Sequence, residues 1–129
     1  MRCTVVLDAS AVRFYARLEG VAVGELIATV HEDGDLTGIP VLVLIDVWAD
    51  LTDGERAIVT DLIERENSPV EVLPVDPAAI PAISGLRSHI GYGSAHAVAA
   101  VRSLGTTVAT YLSGMYSEHL DVYDVLELS

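Results

Sequence analysis

The chain has 129 residues, enough for one domain with a buried core, and 51% of them are hydrophobic, which excludes a disordered chain. Its formal net charge is −12, it contains no lysine, and its seven arginines are scattered along the sequence. This disfavours a nucleic-acid-binding protein that relies on a basic surface. Cys3 is the single cysteine, so no internal disulfide can form.

The apolar stretches do not resemble targeting or membrane segments. The N-terminal residues reach an acid at Asp8 without a long apolar run or a small-residue cleavage site, which is not the pattern of a signal peptide. The best continuous apolar stretch, Ile39 to Ile45, is far too short to span a bilayer. We therefore expect a cytoplasmic protein that makes no membrane contact.

In the first half of the chain, short β-branched runs alternate with segments of helical spacing. Two of these runs stop at an acid, as buried parallel strands followed by a helix often do. The elements expected in order are a strand at Cys3–Leu7, helices at Ala9–Leu18 and Val21–Val30, a polar connection at His31–Gly38, and a strand at Pro40–Ile45.

In the second half, capping signals mark the helices. Thr52-Asp-Gly-Glu55 has the spacing of a capping box, and Asp76-Pro77 is a typical helix start. The remaining expectations are strands at Val70–Val75, Thr106–Thr110 and Asp121–Leu128, and an Ala-rich helix at Ser94–Leu104 followed by Gly105. The alternation predicts a single α/β domain over residues 1–129, a three-layer sandwich with a mostly parallel central sheet of about five strands.

The ends of the first two predicted strands carry acids, Asp8 and Asp46. Ligands of open parallel sheets bind beyond the carboxyl ends of the strands, so we expect these carboxylates to share a pocket. At about 4 Å they would repel each other by about 4 kcal/mol, which a divalent cation such as Mg²⁺ relieves. Each acid alone is equally consistent with a simple helix N-cap.

Three segments together resemble the PIN-domain family, which includes VapC-type bacterial toxins. Val5-Val-Leu-Asp8-Ala-Ser10 resembles the family's opening, where a strand delivers the first metal-site Asp and a Ser or Thr supports it. The segment from Gly38 to Asp46 is similar to the second strand, which ends in an acid. The segment from Ser94 to Thr110 resembles the late helix and strand. The order of these segments covers nearly the whole chain and is more specific than any one of them.

The resemblance implies a metal site that is incomplete. The family places its third acid where this chain has Ser94 and a fourth where it has Leu112, and Asp46 replaces the commoner Glu. The implied site consists of Asp8 and Asp46 as ligands of Mg²⁺ or Mn²⁺, with Ser94 orienting water and Ser10 and His96 nearby. Other acids are available as substitutes only if the fold brings them close: Asp50, Asp53, Glu118, Asp121 and Asp124.

Two functions follow from these observations. In the first, the chain is a PIN-like domain with a degenerate site, weak or inactive in catalysis, which works through protein contact or a residual binding pocket. In the second, it is a Mg²⁺-dependent endoribonuclease that cleaves single-stranded RNA, the toxin of a VapBC-type pair. Both functions imply an antitoxin-like protein partner. The resemblance to the PIN-domain family also implies a homodimer. A response-regulator-like module is disfavoured because the chain has no acid pair before the first strand end and no lysine.

Overall fold

A computed structural model describes residues Arg2–Ser129 and contains five strands and five α-helices in the described part of the chain. The strands are β1 (Cys3–Leu7), β2 (Leu36–Pro40), β3 (Val70–Leu73), β4 (Thr107–Thr110) and β5 (Val125–Glu127). The helices are α1 (Ala9–Ala16), α2 (Val21–Glu32), α3 (Val41–Trp48), α4 (Asp53–Glu64) and α5 (Ile80–Leu104). Short 3₁₀ turns lie at Pro77–Ala79, Ser113–Tyr116 and Val122–Asp124.

The five strands form one sheet in the order β3-β2-β1-β4-β5, and all neighbouring pairs are parallel. Alternate residues of β1 enter different cores. Val5 and Leu7 pack in a core with residues of α1 to α4, whereas Val6 packs with residues of α5 and with Tyr116. The sheet is therefore covered on both faces, and the predicted three-layer α/β sandwich with a central parallel sheet is confirmed.

The second strand lies elsewhere than the sequence predicted. The run from Pro40 to Ile45 is not a strand, because Val41–Trp48 is helix α3, and the strand is Leu36–Pro40. A short apolar run does not reveal its period, and here the buried residues Val43 and Val47 are four apart on one helical face. The part of the expected polar connection from Leu36 onward is the beginning of β2.

Gly38 explains why the strand β2 was not predicted from the hydrophobicity pattern of the sequence. Gly38 lies in the middle of the strand, and a Cβ there would be 2.7 Å from Cys3 Sγ and 2.8 Å from Leu73 Cδ1. The side chains of Cys3 and Leu73 thus occupy the space that a Cβ at position 38 would need, and a glycine accommodates them. Gly38 therefore interrupts the apolar side chains of this strand.

Two later elements also differ from expectation. The Ala-rich helix begins slightly before Ser94, because α5 (Ile80–Leu104) consists of two helical parts joined at Gly91, which has φ 83° and ψ 168°. Its end is as predicted, with Gly105 in the left-handed conformation. The last strand is shorter than Asp121–Leu128, because a 3₁₀ turn precedes β5. Within residues 2–129, no helix combines the length and apolar character needed to cross a bilayer.

Candidate functional site

Asp8 is the centre of a buried polar cluster at the end of β1. Its side chain is 1% exposed and accepts four hydrogen bonds, two at each carboxylate oxygen. Oδ1 accepts from Ser10 Oγ at 2.7 Å and from the Ala11 amide at 3.1 Å. Oδ2 accepts from Thr110 Oγ1 at 2.6 Å and from Tyr116 Oη at 2.8 Å. A carboxylate offers about four lone-pair positions, so protein donors use them all.

The amide contact to Asp8 is also a helix cap. Asp8 is the N-cap residue of α1, with extended backbone, and its side chain accepts from the amide three residues later. The capping role considered for this residue from sequence is therefore present in the structure. The favourable helix N-terminus helps to keep a negative charge in this buried place.

Sequence reasoning missed Tyr116 as a site residue. It follows β4 in the 3₁₀ turn Ser113–Tyr116, and its side chain is 0% exposed. Burial first, and next the negative charge of Asp8, raise the pKa of the Tyr116 hydroxyl far above its ordinary value, so the phenol keeps its proton. No local motif marks this tyrosine, because it lies 108 positions after the residue to which it donates.

Thr110 is the second donor that was not assigned a role. It ends β4, beside β1 in the sheet, and its fully buried hydroxyl accepts from the Leu112 amide at 2.9 Å while it donates to Asp8. Knowledge that β1 pairs in parallel with β4 would have placed Thr110 beside Asp8. Leu112, at the position where the resemblance expects an acid, is 52% exposed.

Asp46 occupies a different setting from the one expected. It lies on α3 rather than at a strand end, it is exposed, and its Oδ2 accepts from the Gly93 amide at 2.6 Å. Gly93 follows the interruption of α5 at Gly91, so Asp46 caps the second part of that helix from a neighbouring helix. This carboxylate has a structural partner, and it makes no hydrogen bond to Asp8 or to the residues that contact Asp8 among those described.

Ser94, at the position where the resemblance expects a third acid, contacts neither Asp8 nor Asp46 through a hydrogen bond. It lies inside α5 and is 7% exposed. Its Oγ lies 3.3 Å from Tyr116 Oη and 3.2 Å from the Met115 sulfur. Ser94 therefore contacts the tyrosine that contacts Asp8, and it is one residue away from the glycine that Asp46 caps. Tyr116 thus connects Asp8 with Ser94, whereas Asp46 has no hydrogen bond to either residue among those described.

The two predicted supporting residues, Ser10 and His96, lie in different surroundings. Ser10 belongs to the cluster, because it donates to Asp8 and accepts from the Tyr111 amide at 2.9 Å. His96 is buried, at 3% exposed, and its Nδ1 accepts from the Leu42 amide at 3.4 Å. Burial lowers the pKa of His96, so the ring is neutral and joins α5 to α3. His96 makes no hydrogen bond to Asp8.

The donors around Asp8 do not fit a Mg²⁺ site. Magnesium requires carboxylate oxygens with free lone pairs and an open, octahedral shell that usually retains water. At Asp8 the fourth acceptor position is taken by a phenol that is itself wholly buried. Among residues 2–129, no three His, Cys, Asp or Glu side chains lie close enough together to hold a metal ion.

Three of the five acids considered as substitutes have other partners. Asp50 forms an ion pair with Arg13 at 3.1 Å, and Asp53, which begins α4 rather than continuing α3, lies 3.6 Å from Arg56. Asp121 caps the 3₁₀ turn Val122–Asp124 through the Tyr123 amide.

The strand order and the two helical layers define a PIN-like α/β fold. Among solved structures, a chain of the complex "VapBC2 from Rickettsia felis bound to a DNA fragment from their promoter" is similar, with a TM-score of 0.74, 9% sequence identity, and 100% of both chains covered. At this identity the likeness concerns the fold alone. The sequence matches no protein-family model. No curated protein is a detectable relative.

Proposed function

We propose that this chain is a single PIN-like domain that acts through protein contact and not as a metal-dependent nuclease. The observation that carries the proposal is the complete occupation of the Asp8 carboxylate by four protein donors. Hydrolysis of a phosphodiester by a metal nuclease needs a cation that binds the phosphate and activates water. An acid without a free lone pair is a poor ligand for that cation.

The distribution of charge supports the same proposal. Of the seven arginines, four already form ion pairs with acids of this chain: Arg13, Arg17, Arg56 and Arg65. With a net charge of −12, the molecule repels a phosphate backbone. Affinity for single-stranded RNA depends on cations along a groove, and the arginines that remain are widely separated in sequence.

The favoured partner is a small basic protein of the antitoxin type. A structurally similar chain comes from a VapBC2 complex, which supports the proposal of such a partner here. An apolar surface is available on α3, where Ile45 is 63% and Trp48 is 37% exposed beside Leu44, Ala49 and Arg56. Exposed apolar side chains grouped on one helix are typical of protein interfaces. A basic partner would also be attracted by the acidic chain. We place this interaction in the cytoplasm; homodimerisation stays a prediction.

The test is an RNA-cleavage assay on the purified protein. With single-stranded RNA and about 5 mM Mg²⁺ or Mn²⁺, we expect no cleavage above the background of a metal-free sample, because no cation is held at Asp8. The Asp8→Asn variant is the control, assayed at a temperature at which circular dichroism shows it folded. Cleavage by the wild type that disappears in Asp8→Asn would overturn the proposal in favour of a Mg²⁺-dependent endoribonuclease.

A further inference from the structure

We infer that the Tyr116 hydroxyl takes the place of a cation at Asp8, and that Asp8, Thr110, Tyr116 and Ser94 form a metal-independent structural clamp. We call this set of four side chains the Asp8 clamp. The inference concerns how the molecule is held together, and it stands whether or not the chain binds a protein partner.

The geometry of the hydrogen bonds supports the replacement. Ser10, Ala11 and Thr110 approach Asp8 from its own helix and from the neighbouring strand β4, and they leave one acceptor position at Oδ2. Tyr116 Oη fills that position at 2.8 Å. The ring behind the hydroxyl is 0% exposed and packs with Val6, so the phenol occupies the space in which a cation and its waters would lie.

The charge balance points in the same direction. A buried carboxylate requires either a counter-charge or several hydrogen-bond donors. The ion pairs of the described residues do not involve Asp8. Its charge is therefore stabilised by four donors, and Tyr116 is the one donor that lies outside β1, α1 and β4.

The clamp joins parts of the fold that are otherwise distant in sequence. Asp8 ends β1 and begins α1, Thr110 ends β4, and Tyr116 closes the 3₁₀ turn that follows β4. Ser94 adds α5, because its Oγ lies 3.3 Å from Tyr116 Oη. One buried carboxylate thus fixes the segment Ser113–Tyr116 over the carboxyl ends of two central strands.

A structural clamp and a latent metal site respond oppositely to loss of the acid. Catalytic acids that await a cation are commonly destabilising, so their removal leaves a metal-free protein equally or more stable. The carboxylate of a clamp is surrounded by donors. In Asp8→Asn an amide N–H₂ would face hydroxyl groups that need an acceptor, which leaves buried donors unpaired. The sign of the change in Tm therefore separates the two roles.

The experiment measures Tm by circular dichroism in EDTA and with added metal. We expect Asp8→Asn to lower Tm by about 5 °C or more, and Tyr116→Phe, which removes the hydroxyl and keeps the ring, by about 3–5 °C. The effect of Tyr116→Phe should be smaller in the Asp8→Asn background, because the two residues share one interaction. Wild-type Tm should rise by less than about 1 °C with about 5 mM Mg²⁺ or Mn²⁺.

Asp121→Asn is the matched control. Asp121 caps an exposed turn, and asparagine caps equally well, so its Tm should stay within about 1 °C of wild type. If Asp8→Asn does not fold, that agrees with the clamp, and Tyr116→Phe provides the quantitative test. An Asp8→Asn protein as stable as wild type, a Tyr116→Phe protein with unchanged Tm, or a wild type that is stabilised by either metal would each overturn the inference.

Discussion

Two buried polar side chains, Asp8 and His96, are accommodated in opposite ways. The carboxylate of Asp8 accepts from four donors, whereas the imidazole of His96 has one backbone donor at Nδ1 and no carboxylate among its hydrogen-bond partners. Burial therefore lowers the pKa of His96. A buried ring that stays neutral makes the fold sensitive to acid at that position.

Stability should decrease as the pH falls below about 6.5, the ordinary pKa of histidine. There the unfolded chain takes up a proton on His96 and the folded protein does not, so the free energy of unfolding declines by up to about 1.4 kcal/mol per pH unit until the lowered folded pKa is reached. Urea unfolding at pH 7.5, 6.5 and 5.5 measures this slope. The slope should be smaller in His96→Asn, which retains an acceptor without titrating.

His89→Asn provides the control for this prediction, since His89 is exposed on the same helix. The control should keep the wild-type slope. Equal slopes in wild type and His96→Asn would show that the acid sensitivity arises from other groups.

The candidate site could be predicted from sequence only where its residues are close along the chain. Asp8 and Ser10 are two positions apart, where an apolar β-branched run meets the first helix. Their contact could therefore be expected from the sequence. Thr110 and Tyr116 lie more than a hundred positions away, and the donors they contribute depend on strand pairing and on the path of the chain after β4. Contacts of this kind are determined by the tertiary structure and leave no local pattern.

At the level of elements, the close contact between α3 and α5 depends on Gly93. A Cβ there would lie 2.7 Å from Asp46 Oδ2 and 3.1 Å from the Val43 Cα. The carboxylate is able to move, but the backbone at Val43 belongs to a buried part of α3. We therefore expect Gly93→Ala to destabilise the protein by about 1–3 kcal/mol. Urea unfolding measures the change.

Gly85→Ala is the matched control, because it is the same substitution in the same helix and its Cβ would meet nothing within 4 Å. Alanine favours a helix over glycine by up to about 1 kcal/mol, so this variant should be neutral or slightly more stable. A Gly93→Ala protein that gains stability in the same way would contradict the close approach of the two helices.

The elements that were predicted well carry explicit end signals. The capping box of Thr52 and Glu55 is formed in full, and Gly105 ends α5 in the left-handed conformation. The segment from Leu36 to Trp48 was misassigned because its signals conflict. The strand contains Gly38 and ends in proline, whereas the helix after it is rich in β-branched residues. Packing on both sides of β2 overrides these local preferences.

For the whole molecule, acidity and an exposed apolar helix face are the properties that a partner would meet. If a neighbouring gene encodes a small basic protein, its product should form a complex with this chain on size-exclusion chromatography. Ile45→Asp places a charge on the 63% exposed residue of α3 and should weaken that complex at least about tenfold, because the apolar surface is then costly to bury.

Tyr123→Asp is the control for this prediction, since Tyr123 is 87% exposed but lies in the turn before β5 and not on α3. Binding by this variant should match the wild type. A complex that Ile45→Asp leaves unchanged would place the interface elsewhere on the molecule.

The clamp around Asp8 has an evolutionary consequence. Loss of Tyr116 alone would leave a 1% exposed carboxylate short of a donor, and an acid gained at position 94 alone would set a second negative charge against the same phenol. Each single change should lower stability before a cation could be held at Asp8. A metal site at this position is therefore accessible only through coordinated changes, and single substitutions toward it are unfavourable.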